Sequence, residues 1–260
     1  MKIDGQVALV TGGGSGLGEA VAKELARQGA RVAVLDVNEA GAARVAGEIG
    51  ADQAMALRCD ITDSTSVAAA LDAVAVRFGT ARIVMNIAGI GSAKRVVGKD
   101  GRPAPLEDFE RVIRVNLIGT YNMIRLAAAR LVAQPPLAQS PEGERGVMLC
   151  TASVAAFDGQ VGQEAYSASK GGIVGMTLPL ARDLAQHGIR VMTIAPGLFH
   201  TPLMAELPEE VQKSLAASIP FPKRLGLPQE FAELAAHIVT NGHLNGETIR
   251  LDGALRMAPR

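Results

Sequence analysis

Along this chain, short unbroken apolar runs alternate with longer stretches in which apolar residues recur every three or four positions. The first run, residues 6–11 (Val7, Ala8, Leu9, Val10), stops at Gly12-Gly13-Gly14-Ser15-Gly16-Leu17-Gly18; Ala20, Val21, Leu25 and Ala26 then recur at helical spacing. Unbroken runs read as strands buried on both faces. The same alternation predicts further strands over 31–36, 54–59, 82–86, 146–151, 189–195 and 247–251. Helices are expected over 44–49, 64–78, 106–133, 162–186, 209–218 and 228–240. Strands separated by helices make a parallel sheet with ligands at the carboxyl ends of its strands. The expected fold is therefore α/β: a Rossmann-type doubly wound, seven-stranded parallel sheet with helices on both faces, one domain over residues 1–260.

Three places depart from plain alternation. Residues 91–105 form a polar insertion carrying Lys94, Arg95, Lys99 and Arg102, and residues 197–227 read as a loop with helical segments. Asn116 sits among Val112, Ile113, Val115, Leu117 and Ile118, where a buried amide needs partners. The helix over 162–186 is apolar nearly all round, which points to burial on both sides and to a subunit interface.

Composition narrows the class. Basic and acidic residues balance at 26 each, so no electrostatic reason exists to expect nucleic acid or an anionic membrane as partner, and a small molecule is expected instead. No signal-peptide pattern or membrane-length apolar run occurs, so a soluble, cytoplasmic protein is expected. Cys59 and Cys150 each end an apolar run and read as buried thiols in a reducing compartment. His187, His200, His237 and His243 lack metal-ligand spacing, and no catalytic metal is expected.

The candidate chemistry begins at the glycines. Between a strand and a helix, glycines let backbone approach a pyrophosphate at a helix N-terminus. Asp36 ends the second strand about 20 residues further on, where it can accept from ribose hydroxyls and repel a 2′-phosphate, so NAD is expected over NADP. Asp60 and Asn86 also stand at strand ends, and Ser153 lies just past the fifth strand. Tyr166 and Lys170 are one helical turn apart, so a phenol sits over an ammonium. The positive charge favours the phenolate, lowering the tyrosine pKa and making a general acid/base. Ser167 and Lys170 also spell Ser-x-x-Lys, but the Ser-Asp-Asn and Lys-Thr-Gly partners of a serine acyl-enzyme are missing.

Thr11-Gly-x-x-x-Gly-x-Gly, Asn86-x-Ala-Gly89, Asn116, Ser153, Tyr166-x-x-x-Lys170 and Pro196-Gly197 occur in one order over the whole chain. Together they resemble the short-chain dehydrogenase/reductase family, departing from it at Ile87, where a second asparagine is usual. Residues 151–157, 159–163, 166–182, 190–199, 221–226, 244–247 and 250–254 are similar to members that act on 3-hydroxyacyl-CoA. The resemblance implies a homotetramer performing NAD-dependent oxidation of 3-hydroxyacyl-CoA to 3-oxoacyl-CoA in fatty acid metabolism.

It also assigns roles. Tyr166 takes the hydroxyl proton, Lys170 lowers its pKa and holds a ribose, Ser153 bonds the reacting oxygen, and Asn116 holds a water for proton exit. Gly12, Ser15, Gly16, Leu17, Gly18, Asp36, Asp60, Ile61, Asn86, Ala88, Gly89, Pro196, Gly197, Leu198 and Thr201, with Tyr166 and Lys170, are the implied cofactor contacts. Gln160 and Gln163, beside Ser153 and Tyr166, are the implied substrate contacts. The cations of the insertion, with Lys223 and Arg224, are expected to attract the phosphates of CoA. Neighbouring readings are a 3-oxoacyl-[acyl carrier protein] reductase, which Asp36 argues against, and a hydroxysteroid or alcohol dehydrogenase. A nucleotide-sensing scaffold without activity would not need Ser153, Tyr166, Lys170 and Asn116 together.

Overall fold

The computed structural model describes residues 1–205 and 208–259. Seven strands, β1 (Val7–Thr11), β2 (Arg31–Asp36), β3 (Ala54–Arg58), β4 (Ile83–Asn86), β5 (Gly146–Thr151), β6 (Ile189–Pro196) and β7 (Thr248–Leu251), form one sheet in the order β3-β2-β1-β4-β5-β6-β7. Every neighbouring pair is parallel. The order reverses direction between β1 and β4, which opens a crevice at their carboxyl ends.

Helices cover both faces because the strands are apolar on both. On one face α1 (Gly16–Arg27), α2 (Glu39–Ile49) and α9 (Pro228–Thr240) bury Val21, Leu25, Val45 and Phe231 against Val10, Val34 and Met85. On the other, α3 (Ser64–Phe78), α5 (Thr120–Val132) and α6 (Glu164–Ala185) bury Leu71, Met123, Leu131 and Ile173 against Leu9, Val84 and Met148. Helix α2 begins earlier than periodicity suggests because Asn38 caps it, its side chain accepting from the Gly41 amide at 3.1 Å. In residues 197–227, α7 (Pro202–Ala205) and α8 (Glu209–Ala217) lie over a small apolar cluster of Ile219, Leu225 and Leu255; residues 206 and 207 of this segment lie outside the described residues. No helix among the described residues is long and apolar enough to cross a membrane.

The stretch over 106–133 is not one continuous α-helix. Helix α4 (Leu106–Ile113) passes into a π-helical turn, Arg114–Gly119, before α5 resumes. The widened turn is held by one near and one distant contact. Thr120 Oγ1 bonds the Asn116 carbonyl at 2.7 Å, and a Cβ on Gly119 would come within 2.7 Å of Ile61 Cγ1, so the turn lies tight against Ile61. Cys59 and Cys150 are buried free thiols, pushed up to about 11 and about 12 by burial.

Candidate active site

At the end of β1 the chain crosses itself so closely that side chains are excluded. A Cβ on Gly12, whose φ is +65°, would lie 2.8 Å from Ala88 Cα, and one on Gly18 would lie 2.0 Å from the Gly12 carbonyl oxygen. The N-terminus of α1 is thereby held at the cleft, where its free amides favour an anion. Asp36 is tied down at the cleft edge, its Oδ2 accepting from the Gly14 amide at 3.0 Å and its Oδ1 from the Asn38 amide at 2.9 Å. Asp60 Oδ1 accepts from the Thr62 amide at 2.9 Å and from its hydroxyl at 2.8 Å. A side-chain-free crossing, a helix N-terminus and an anchored carboxylate at this spacing fit a dinucleotide with free ribose hydroxyls.

These elements border one cleft of about 730 Å³. Of the expected residues, Gly12, Ser15, Gly16, Leu17, Gly18, Asp36, Asp60, Ile61, Ala88, Gly89, Tyr166, Lys170, Pro196 and Thr201 line it. The others stand elsewhere. Asn86 is buried below the cleft and donates to the Leu149 carbonyl at 3.2 Å. Gly197 packs on Asp252, and Leu198 faces a separate cavity of about 230 Å³ beside Phe199 and Ile219. Gln160 and Gln163 are also outside the lining: the Gln160 side chain donates to the Ala258 carbonyl at 3.0 Å, and Gln163 Oε1 accepts from the Gln160 amide at 3.0 Å.

The cleft also includes residues to which the sequence reading gave no role. Thr11 Oγ1 accepts from the amides of Ile87 at 3.1 Å and Ala88 at 3.2 Å, which pins the exit of β4 to β1. A hydroxyl residue at the strand end was the available signal. Arg111, Arg114 and Val115 line the opposite wall at i, i+3 and i+4, a spacing hidden inside the helical pattern.

Tyr166 and Lys170 share a face of α6, with Lys170 Nζ 5.7 Å from the tyrosine ring centroid. Lys170 is buried, and its amine donates to the Thr151 carbonyl at 2.7 Å. Burial pulls its pKa down to about 8, opposed by the neighbouring Cys150. The expected drop in the Tyr166 pKa does not arise from the chain's own groups. Burial pushes that phenol up, and the hydrogen bond with Ser153 partly reverses the shift. The lysine charge is aimed at Thr151 instead. Ser153 is positioned as the cap of a 3-10 turn, Val154–Ala156, its Oγ accepting from the Ala155 amide at 3.1 Å.

Asn116 is fully buried behind Lys170. Its Oδ1 accepts from the Ile90 amide at 2.8 Å, and its Nδ2 donates to the Ile90 carbonyl at 2.9 Å and to Ser169 Oγ at 3.0 Å. Gly89 passes close to both, for a Cβ there would lie 3.2 Å from Asn116 Oδ1 and 3.4 Å from Lys170 Nζ.

The cations expected to draw phosphates are only partly free. Lys94 pairs with Asp108, Arg102 with Asp100 at 3.8 Å and Arg224 with Glu230 at 2.7 Å. Arg95, Lys99 and Lys223 make no ion pair among the described residues. The insertion is anchored rather than loose, since the Lys94 amide also bonds the Gly162 carbonyl at 2.8 Å, just before α6.

A sheet with its switch point over a glycine crossing, and Tyr166 and Lys170 lining that crevice with Ser153 hydrogen-bonded to the tyrosine, define a nucleotide-dependent oxidoreductase. A family model described as short chain dehydrogenase matches residues 6–212, and the chain belongs to that family. It is 53% identical to 3-hydroxyacyl-CoA dehydrogenase type-2 of Bos taurus, over 99% of this chain and 98% of that protein. Among solved structures, 3-hydroxyacyl-CoA dehydrogenase type-2 from Mycobacterium avium superimposes with a TM-score of 0.93 at 45% identity, covering 98% of each chain. A 3-ketoacyl-(acyl-carrier-protein) reductase from Brucella melitensis complexed with NADH gives a TM-score of 0.86 at 35% identity, covering 98% of this chain and 100% of that one.

Proposed function

We propose that this protein oxidises 3-hydroxyacyl-CoA thioesters to 3-oxoacyl-CoA with NAD, and reduces 3-oxoacyl-CoA in the reverse direction with NADH. The observation that carries the reaction type is Tyr166 and buried Lys170 lining the cleft that Asp36 borders, with Ser153 hydrogen-bonded to the Tyr166 phenol. Full-length likeness to relatives named for 3-hydroxyacyl-CoA supports the substrate class. The nicotinamide, when bound, supplies the hydride acceptor or donor.

The chain's residues handle the proton and the position. Ser153 hydrogen-bonds the reacting oxygen, and Tyr166 Oη takes the hydroxyl proton during oxidation and returns it during reduction. Lys170 changes its proton with modest effort because burial has brought it to about 8. Asn116 Oδ1 and the Lys170 amine both crowd against Gly89, where a larger residue would press on them. Asp36 favours NAD, since a 2′-phosphate near an anchored carboxylate meets like charge. Of the cations expected to meet CoA phosphates, Arg95, Lys99 and Lys223 make no ion pair among the described residues, fewer than the sequence offers.

A homotetramer is part of this reading. Phe109, Ile118, Tyr121 and Leu178 are exposed apolar residues on contacting helices α4, α5 and α6 and the turn between them, a surface that suits a second copy.

The test compares specificity constants for acetoacetyl-CoA, acetoacetyl groups on acyl carrier protein, and a panel of ketosteroids and ketones. A preference for the CoA thioester supports the proposal. Equal or better use of the carrier-protein substrate overturns it.

A further inference from the structure

We infer that Arg44 is a positioning residue for the cofactor: it holds the Gly14–Ser15 peptide so that the Ser15 amide faces the cleft, and a ring of charges joining α1 to α2 holds Arg44 in turn. The inference rests on the nucleotide reading above and deepens it, naming a side chain that is not among those lining the cleft.

Arg44 reaches from α2 to the glycine turn, where its Nη2 donates to the Gly14 carbonyl at 3.1 Å. No other donor among the described residues meets that oxygen. Helix α2 comes this close because Gly41 has no side chain, for a Cβ there would lie 3.1 Å from the same oxygen. Arg44 is itself tied in place. Its two terminal nitrogens form a fork on Glu19, with Nη1 3.1 Å from Oε1 and Nη2 2.5 Å from Oε2, and Nη1 also donates to Glu48 at 2.7 Å. Lys23 closes the ring, 2.6 Å from Glu19 and 2.6 Å from Glu48. Glu19 and Lys23 belong to α1, and Arg44 and Glu48 to α2, so four charges of alternating sign couple the two helices. A lone exposed ion pair contributes little, whereas a closed network built on a two-pronged arginine keeps one geometry.

The grip on one edge of the peptide sets the direction of the other. The Gly14–Ser15 bond is trans and planar, so its N–H points opposite to its C=O. With the carbonyl drawn toward α2, the Ser15 amide is turned away from α2. Ser15 lines the cleft, and its amide makes no bond among the described residues. It stands just before α1, beside the free amides of that helix end that favour a phosphate. A cation on the carbonyl also polarises the peptide and strengthens its N–H as a donor. Gly14 is thereby held from both sides, its amide by Asp36 Oδ2 at 3.0 Å and its carbonyl by Arg44.

The test titrates NADH fluorescence, at one ionic strength, against wild type, Arg44→Ala, Arg44→Lys, Glu19→Gln and the Glu19→Gln/Arg44→Ala pair. Arg44→Ala should weaken NADH about three- to tenfold, the effect of one net hydrogen bond. With acetoacetyl-CoA as substrate, that loss should fall on KM for NADH, while kcat at saturating NADH stays within about twofold. Arg44→Lys keeps the charge without the fork and should bind NADH within about twofold of Arg44→Ala. Glu19→Gln separates positioning from bare charge. It removes a negative charge from the first turn of α1, which by Coulomb attraction alone tightens NADH. If Glu19 acts by holding Arg44, NADH instead weakens about two- to fivefold, and the pair is no worse than Arg44→Ala alone.

An Arg44→Ala constant within about twofold of wild type, full recovery in Arg44→Lys, a loss in kcat rather than KM, or tighter binding by Glu19→Gln would each overturn the inference. If Arg44→Ala does not fold, Arg44→Gln must show the same loss or the inference fails. Wild-type protein that binds no NADH overturns the cofactor reading itself, and the inference with it; wild-type binding that Arg44→Ala leaves unaltered overturns the inference alone.

Discussion

Replacing Lys170 with methionine should separate stability from activity, because the same burial that tunes the amine also costs folding energy. Lys170 Nζ lies beneath Thr151, and its pKa is pulled from 10.5 down to about 8. The folded value lies below the unfolded one, so between them the unfolded chain binds more protons and stability rises with pH. The cost is whole below about pH 8 and is relieved on the way to about pH 10.5. A shift of this size corresponds to about 3 kcal/mol. Methionine removes the cost but forfeits the bond to the Thr151 carbonyl, about 1.5–3 kcal/mol for a charged donor, so near neutrality the variant should be as stable as wild type or slightly more so. The sharper expectation is the difference between the two proteins. It should move in favour of wild type by about 3 kcal/mol from about pH 7.5 to about pH 10.5, with other titrating groups largely cancelling. Urea unfolding at one fixed protein concentration measures it, since assembly makes apparent stability concentration-dependent. A difference that stays flat across that window would show that Lys170 is not held as a desolvated cation.

Three further outcomes follow from the site. Tyr166→Phe should abolish turnover while leaving NADH binding intact; since Tyr121 and Tyr166 are the only tyrosines and tryptophan is absent, wild-type minus variant absorbance isolates one phenol. That phenol should titrate above 10 in the protein alone, because burial disfavours its anion, and ionisation below that value would contradict the electrostatics described. Gly89→Ala should lower kcat about tenfold or more with little change in thermal midpoint, as the new methyl group meets Asn116 Oδ1 and Lys170 Nζ; full activity would mean that the two groups yield to it without loss of turnover. Asp36→Ala should weaken NADH about 10- to 100-fold and narrow its advantage over NADPH, read by fluorescence titration, and an unaltered ratio would remove Asp36 from cofactor choice.

Much of the fold was readable because its signals are local. The apolar runs of β1, β2 and β5 are buried along their whole interior, and the glycines after Thr11 stand between strand and helix, where only close backbone approach explains them. Tyr166 and Lys170 were likewise placed on one face by helical geometry alone. What escaped depends on contacts that periodicity does not report. The π-helical turn encloses Asn116, whose amide binds Ile90 and Ser169, 26 and 53 residues away. The direction of the Tyr166 shift follows from desolvation, which periodicity does not report. Lys94 and Arg224 looked available for phosphates until the fold brought Asp108 and Glu230 against them. Gln160 and Gln163 were similarly spent on each other and on the Ala258 carbonyl.

The central claim, hydride exchange between NAD and a 3-hydroxyacyl thioester at Tyr166, is tested most directly by one spectrophotometric comparison. Acetoacetyl-CoA is mixed with the protein and either NADH or NADPH, and loss of the reduced nicotinamide absorbance is followed. Fast consumption of NADH, with NADPH slower by about 100-fold or more, is the expected result. Binding of NADH without its consumption, or an equal rate with NADPH, would contradict the claim: the first in its substrate, the second in the role of Asp36.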